Sequence, residues 1–292
     1  MAKQQSNVEE IARLCLHDPN NFGIQLSQTT HRLQILHSFP ISLGSRVLEI
    51  GCGQGDTTAV LAELVGESGH VTAIDPADLS YGAPFTVGQA QKHLLASRLG
   101  SRITFVQQDP VDFLSSKSEE PIFDVAVLAH CIWYFSSPSV LSNIFQVLAK
   151  RVKFVCVAEY ALAAGTMEQL PHVLAVLARV SLEVFKPVSE SNVRTILSMK
   201  RIQSLAEGAG MSALPHFKVF EPAMELSDGR WEVGTVLDEE FEEEVKVAPG
   251  PRERAAILAQ REAVLQAVSK VGGLKKVRTM DVFCQCFRGV DV

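Results

Sequence analysis

Short runs of branched and aromatic residues punctuate the first half of the chain, at 47–50, 70–75, 102–107, 123–129 and 152–159. Each is too short for a helix and is bounded by turn formers, so the pattern predicts five strands. Between them apolar residues recur at helical spacing, as in Val60, Leu61 and Leu64, and again over 87–99 and 138–149. Strands alternating with helices predict a mostly parallel sheet with helices on both faces, because a parallel crossover needs a long connection.

The flanks follow a different pattern. Ile11, Leu14 and Cys15 share one helix face, and a second helix is predicted over 27–39 after a turn-rich run at 18–23. Past the fifth strand, 166–185 reads as one apolar helical stretch and 192–207 as a helix ended by Gly208 and Gly210. Residues 214–220 predict a strand, 228–236 read as strand-like, 251–271 as a helix stopped by Gly272-Gly273, and 278–287 as the last strand. The implied division is a helical cap over 1–40, an α/β core over 41–160, lid helices over 161–212, and final strands with a helical insertion over 213–292.

Composition changes little in this picture. With 292 residues, 47% of them hydrophobic, the chain can bury a full core. The formal net charge of −6 argues against a nucleic-acid surface. The first ten residues have no apolar run and so no secretory signal, and the most apolar windows are too short or too polar to span a bilayer. Six scattered cysteines without paired Cys-x-x-Cys motifs fit a reduced, cytoplasmic protein and suggest no zinc site.

The candidate chemistry begins at Glu49-Ile50-Gly51-Cys52-Gly53-Gln54-Gly55-Asp56. A strand enters this loop and a helix leaves it, which is the opening of a nucleotide-binding unit. Glycines there let backbone approach a ligand, and the helix start offers N–H donors. Asp75 closes the second strand 24 residues after Gly51, followed by Pro76, where a carboxylate can accept from ribose hydroxyls. Asp109 closes the third strand before Pro110, either to accept from an adenine amino group or simply to start a turn. Glu49 either orients a ligand ammonium or ties down the loop.

These spacings resemble the class I S-adenosylmethionine-dependent methyltransferases over about residues 45–160, and the outer segments 32–37 and 277–283 resemble fungal natural-product methyltransferases. The resemblance implies a Rossmann-like, seven-stranded sheet whose last strand is antiparallel. It also implies that S-adenosylmethionine is held by Glu49, Gly51, Cys52, Gly53, Gln54, Asp75, Pro76, Asp109, Pro110 and His130. Backbone donors near Gly51 and Gly53 are expected to take the cofactor's carboxylate.

His130, just beyond the fourth strand, stands beside the expected methyl position, as a general base or as a wall residue. Glu159 is the second catalytic candidate. Trp133, Tyr134, Tyr160 and His31 are candidates for holding the acceptor, with His37 and His172 as further lid histidines. Ala129-His130 stands where catechol-type enzymes need an acidic metal ligand, so no metal is expected. His130-Cys131-Ile132-Trp133 likewise departs from the Asn/Asp-Pro-Pro-Tyr/Phe of amino-group enzymes acting on DNA or glutamine. The expected activity is metal-independent methyl transfer to oxygen or nitrogen of a small organic, secondary-metabolite acceptor. The alternatives are a cofactor-binding enzyme, such as a cyclase, that transfers no methyl, and a nicotinamide-dependent reductase. The last is disfavoured because Tyr81, Tyr134 and Tyr160 lack a lysine four residues on.

Overall fold

The apolar runs form β1 (Arg46–Ile50), β2 (His70–Ile74), β3 (Ile103–Val106), β4 (Phe123–Ala129) and β5 (Val152–Tyr160), all mutually parallel. The computed structural model describes residues 8–116, 123–189 and 191–290, so the first seven positions of the expected cap lie outside the described residues. Two more strands, β6 (Ser212–Phe220) and β7 (Val282–Arg288), complete one sheet of order β3-β2-β1-β4-β5-β7-β6. β7 runs antiparallel to both neighbours, as the resemblance implies.

The helices are α1 (8–12), α2 (Phe22–Leu36), α3 (Asp56–Val65), α4 (Val87–Leu95), α5 (Pro110–Ser115), α6 (Pro138–Leu148), α7 (Leu170–Glu183), α8 (Met199–Gly208), α9 (Asp228–Leu237), α10 (Glu239–Glu244) and α11 (Pro251–Lys270). Side chains alternate across a strand, so β1 feeds both faces of the sheet. Val47 packs with Val60 and Leu61 of α3, whereas Leu48 packs with Leu141, Ile144 and Phe145 of α6. A third apolar cluster joins Ala175, Ala178 and Leu182 of α7 to Val233 and Val236 of α9 and Ile257 and Val264 of α11. That cluster gives these three helices a core of their own.

Several expectations are corrected. Residues 228–236 are helical, because Val233, Val236 and Leu237 repeat at helical spacing against α7. Only the second half of 192–207 is helix. Ser198 caps α8, and the segment before it donates Arg194 and Thr195 N–H to the Trp133 carbonyl. The last strand starts at Val282 instead of 278. α5 escaped sequence reading, although Asp109-Pro110 is a helix-start signature, with Asp109 at the N-cap and Pro110 in the first turn. In α10, Phe241 is buried while Glu242 and Glu244 pair with Arg261 and Lys186. Among the described residues no helix is long and apolar enough to cross a membrane.

Candidate active site

The glycine loop is a backbone device. Gly51, Gly53 and Gly55 all have positive φ, at 75°, 49° and 97°. A Cβ on Gly51 would stand 2.4 Å from the Cβ of Cys131, so the β1 and β4 ends approach closely only because this position lacks one. Asp75 stiffens the loop from β2: Oδ2 accepts Gly53 N–H at 2.8 Å and Oδ1 accepts Ala77 N–H at 2.9 Å. Each oxygen keeps a lone pair for a ligand hydroxyl. Gln91 of α4 donates to the Gly53 carbonyl at 2.8 Å.

A cleft of about 680 Å³ opens at the carboxyl ends of the parallel strands, the position where such folds bind ligands. Gly51, Cys52, Gly53, Gln54, Asp75, Pro76, Asp109, Pro110, His130 and Tyr134 line it. Glu49, Glu159, Trp133, Tyr160 and His31 stand behind that lining. Glu49 is 2% exposed and accepts a 2.6 Å hydrogen bond from the Thr58 hydroxyl of α3. It therefore ties loop to helix, and burial pushes its carboxyl up to about 8. Asp109 lines the cleft, but its Oδ1 accepts from Val111 and Asp112 N–H as a helix cap.

On the loop where the carboxylate is expected, two N–H groups are already engaged. Gly51 N–H donates to the Ile74 carbonyl at 2.8 Å, and Gly53 N–H is spent on Asp75. A further donor is Arg32 of α2, which the sequence pattern does not single out. It lines the cleft, and its Nη1 is buried without a partner. A buried guanidinium nitrogen lacking an acceptor fits an anionic ligand group, such as an amino-acid carboxylate.

His130 has the backbone of a fixed residue, with φ of 53° and its N–H held by the Ala158 carbonyl at 2.9 Å. Both ring nitrogens are engaged. Nδ1 lies 3.2 Å from Glu159 Oε1, and Nε2 lies 2.9 Å from Nε2 of His31. Glu159 also accepts Ile132 N–H at 3.1 Å and Tyr160 N–H at 3.0 Å. Burial pushes Glu159 up to about 8 and both imidazoles well below their ordinary value of 6.5. Desolvation disfavours every charged form here. The Tyr160 ring centre is 4.3 Å from that of His130, and Trp133 is 5.0 Å from Tyr160. His172 joins them from α7, while His37 is exposed and takes no part.

This strand order, with a strand–glycine loop–helix opening at its centre, defines a class of donor-binding fold, and the chain belongs to the class I S-adenosylmethionine-dependent methyltransferases: residues 41–201 match the methyltransferase domain family. Over 94% of its length the chain is 30% identical to methyltransferase phomM′ of Diaporthe leptostromiformis, covering 79% of that protein, and it matches phomM of the same fungus equally. It also resembles a cyclopropane-fatty-acyl-phospholipid synthase-like protein from Lactobacillus casei. That structure shares 31% identity at a TM-score of 0.84, over 97% of this chain and 99% of the other. The [4+2]-cyclase SpnF, at 15% identity and a TM-score of 0.52 over 89% and 80% of the two chains, shares the fold. S-adenosylmethionine is accordingly the cofactor of this enzyme.

Proposed function

We propose that the protein transfers the S-adenosylmethionine methyl group to an oxygen or nitrogen of a small organic acceptor, in secondary metabolism and without a metal. The observation that carries this reading is the position of His130, on the cleft wall and held between Glu159 and His31. The bound cofactor supplies an electrophilic methyl on a sulfonium sulfur. Arg32 would hold its carboxylate, and Asp75 would accept from its ribose hydroxyls. The Asp75 and Asp109 carboxylates on the cleft wall would favour the cation electrostatically. The chain's remaining work is alignment, because an in-line displacement gains most from fixing nucleophile against methyl carbon.

An acceptor hydroxyl or amine loses a proton as its new bond to carbon forms. The His130–His31 pair would take it at His31 Nδ1, the ring nitrogen of the pair left without a partner, while Glu159 Oε1 orients the His130 ring. Among the described residues no three His, Cys, Asp or Glu side chains converge as metal ligands would. The net charge of −6 supports a small-molecule acceptor over nucleic acid, and six free cysteines fit a reduced cytoplasm. The test is calorimetry with S-adenosylmethionine on the wild type and on Asp75→Ala. Saturable binding lost in the variant supports the assignment, whereas undiminished binding by Asp75→Ala removes Asp75 from it. Mass-spectrometric detection of demethylated cofactor in the presence of acceptor then separates methyl transfer from cofactor-assisted cyclisation.

A further inference from the structure

Charge divides the cleft along the sheet. Its four acids, Asp56, Asp75, Asp78 and Asp109, follow β1, β2 and β3, the half that holds the glycine loop. Each already accepts from this chain: Asp56 from the Gln25 amide, Asp75 from Gly53 N–H, Asp78 from Ser80 N–H and Asp109 from Val111 N–H. Beyond β4 the cleft wall carries the opposite sign. There Arg194, from the segment between α7 and α8, lines it together with Tyr134 and Phe135.

Arg194 is fixed in place, yet its charge is unspent. Its backbone N–H donates to the Trp133 carbonyl at 2.8 Å, and Val193 before it is 2% exposed in the cluster that contains Trp133. The residue is thereby pinned to the loop that starts at His130. A guanidinium offers five N–H donors. Among the described residues the Arg194 side chain spends one, from Nη1 to the Tyr134 carbonyl at 3.3 Å, and meets no carboxylate. Ser189, which also lines the cleft, accepts Ser191 N–H at 3.0 Å on Oγ and keeps its own proton to donate.

A half-buried guanidinium on a concave wall attracts an anion, and its planar fork matches a carboxylate or phosphate with two parallel hydrogen bonds. A neutral amide or hydroxyl leaves the charge unanswered. The cofactor's own carboxylate has a different arginine at hand. Arg32 belongs to α2, which Gln25 ties to Asp56 at the exit of the glycine loop. Arg194 is tied instead to the loop that carries His130, so it shares the acceptor's side of the cleft.

We propose that Arg194 determines acceptor specificity, and that the methyl acceptor is an acid whose carboxylate or phosphate is bound by Arg194 while another group of the same molecule is methylated. The inference rests on the methyl-transfer reading of this cleft. Tyr134 and Phe135 give the body of such an acceptor an aromatic wall.

The test uses the full chain saturated with S-adenosylhomocysteine, titrated calorimetrically with phenylacetate, phenyl phosphate and the neutral phenylacetamide. At least one acid should bind at least about tenfold more tightly than the amide, as expected for one charge-assisted hydrogen bond, and the tighter acid names the anion. Arg194→Gln should erase that preference while binding S-adenosylhomocysteine within about twofold of the wild type. Equal binding of acids and amide, a preference that survives Arg194→Gln, or binding of none of the three would each overturn the proposal. So would a matching loss of S-adenosylhomocysteine affinity in a folded Arg194→Gln, which would give Arg194 to the cofactor. Failure of the wild type to bind S-adenosylhomocysteine would instead strike at the methyl-transfer reading. Should Arg194→Gln fail to fold, Arg194→Lys is read in its place. It keeps the charge and loses the fork, so acid binding should fall at least about threefold with the amide unchanged, and undiminished acid binding counts against the site.

Discussion

His31 and His130 meet Nε2 to Nε2 at 2.9 Å, so one imidazole donates and the other accepts a single proton between them. Glu159 lies on the far nitrogen of His130. The two proton arrangements of this row differ only by shifts along existing hydrogen bonds, and a proton taken at one end is relayed without exposing a charge to solvent. His130→Ala should keep cofactor affinity and lose about 10²–10⁴-fold in turnover, as removal of a general base does. Single-turnover rates beside calorimetric affinity check this, and unchanged turnover would leave His130 as a wall.

Arg32 provides a test with a built-in control. Arg32→Ala should weaken S-adenosylmethionine binding by about 10–100-fold, the value of a charge-assisted hydrogen bond. Methylthioadenosine, which lacks the amino-acid portion, should bind wild type and variant alike. Equal losses for both ligands would show that the variant disturbs the cleft instead of one contact.

Gly51→Ala should destabilise strongly and for two separable reasons. A positive φ costs a residue with Cβ about 1–2 kcal/mol, and the added Cβ would meet the Cys131 Cβ at 2.4 Å. Cys131→Gly in the same chain should recover the contact portion of the loss and leave the backbone portion. Cys131→Ala should recover almost nothing, because the opposing atom is the Cβ itself. Urea midpoints of the four proteins measure this.

The buried acids and histidines set opposite pH dependences in the cofactor-free protein. Glu49 and Glu159 rise from 4.5 to about 8 on folding, so the folded state holds extra protons and stability falls as pH climbs from about 4.5 toward 8. His172 falls from 6.5 to about 3, so the unfolded state holds the extra proton and stability falls as pH drops below 6.5. Glu49→Gln should flatten the alkaline limb by at most about 1.4 kcal/mol per pH unit. Denaturant unfolding from pH 5 to 9 reads it, and parallel curves for variant and wild type would show that Glu49 is ionised throughout.

The sheet was legible because buried parallel strands are short, continuous apolar runs, as in 123–129, and because acids at strand ends are spaced by the fold itself. Asp75 and the glycines therefore appear where the spacing placed them. Glu49 and Asp109 each carry a ligand reading and a structural one, and spacing alone does not decide between them. The Thr58 hydroxyl and two helix N–H groups that claim their oxygens fit the structural one. Arg32 was not legible at all. Its position depends on the rotation of α2 over a loop some twenty residues away, which a single helix pattern does not encode. Residues 228–236 misled because Trp231, Val233 and Val236 approximate alternation, and only the packing partner α7 selects the helical period.

β7 is made from the last residues described, yet it lies inside the sheet between β5 and β6, with Phe283 and Phe287 almost wholly buried. The sheet thus cannot close, and β6 has no strand to pair with, until residues 282–288 have left the ribosome. A nascent chain carries an open β5 edge while residues 161–281 are made, the kind of edge that recruits other strands. Loss of residues 282–288 would make that transient exposure permanent.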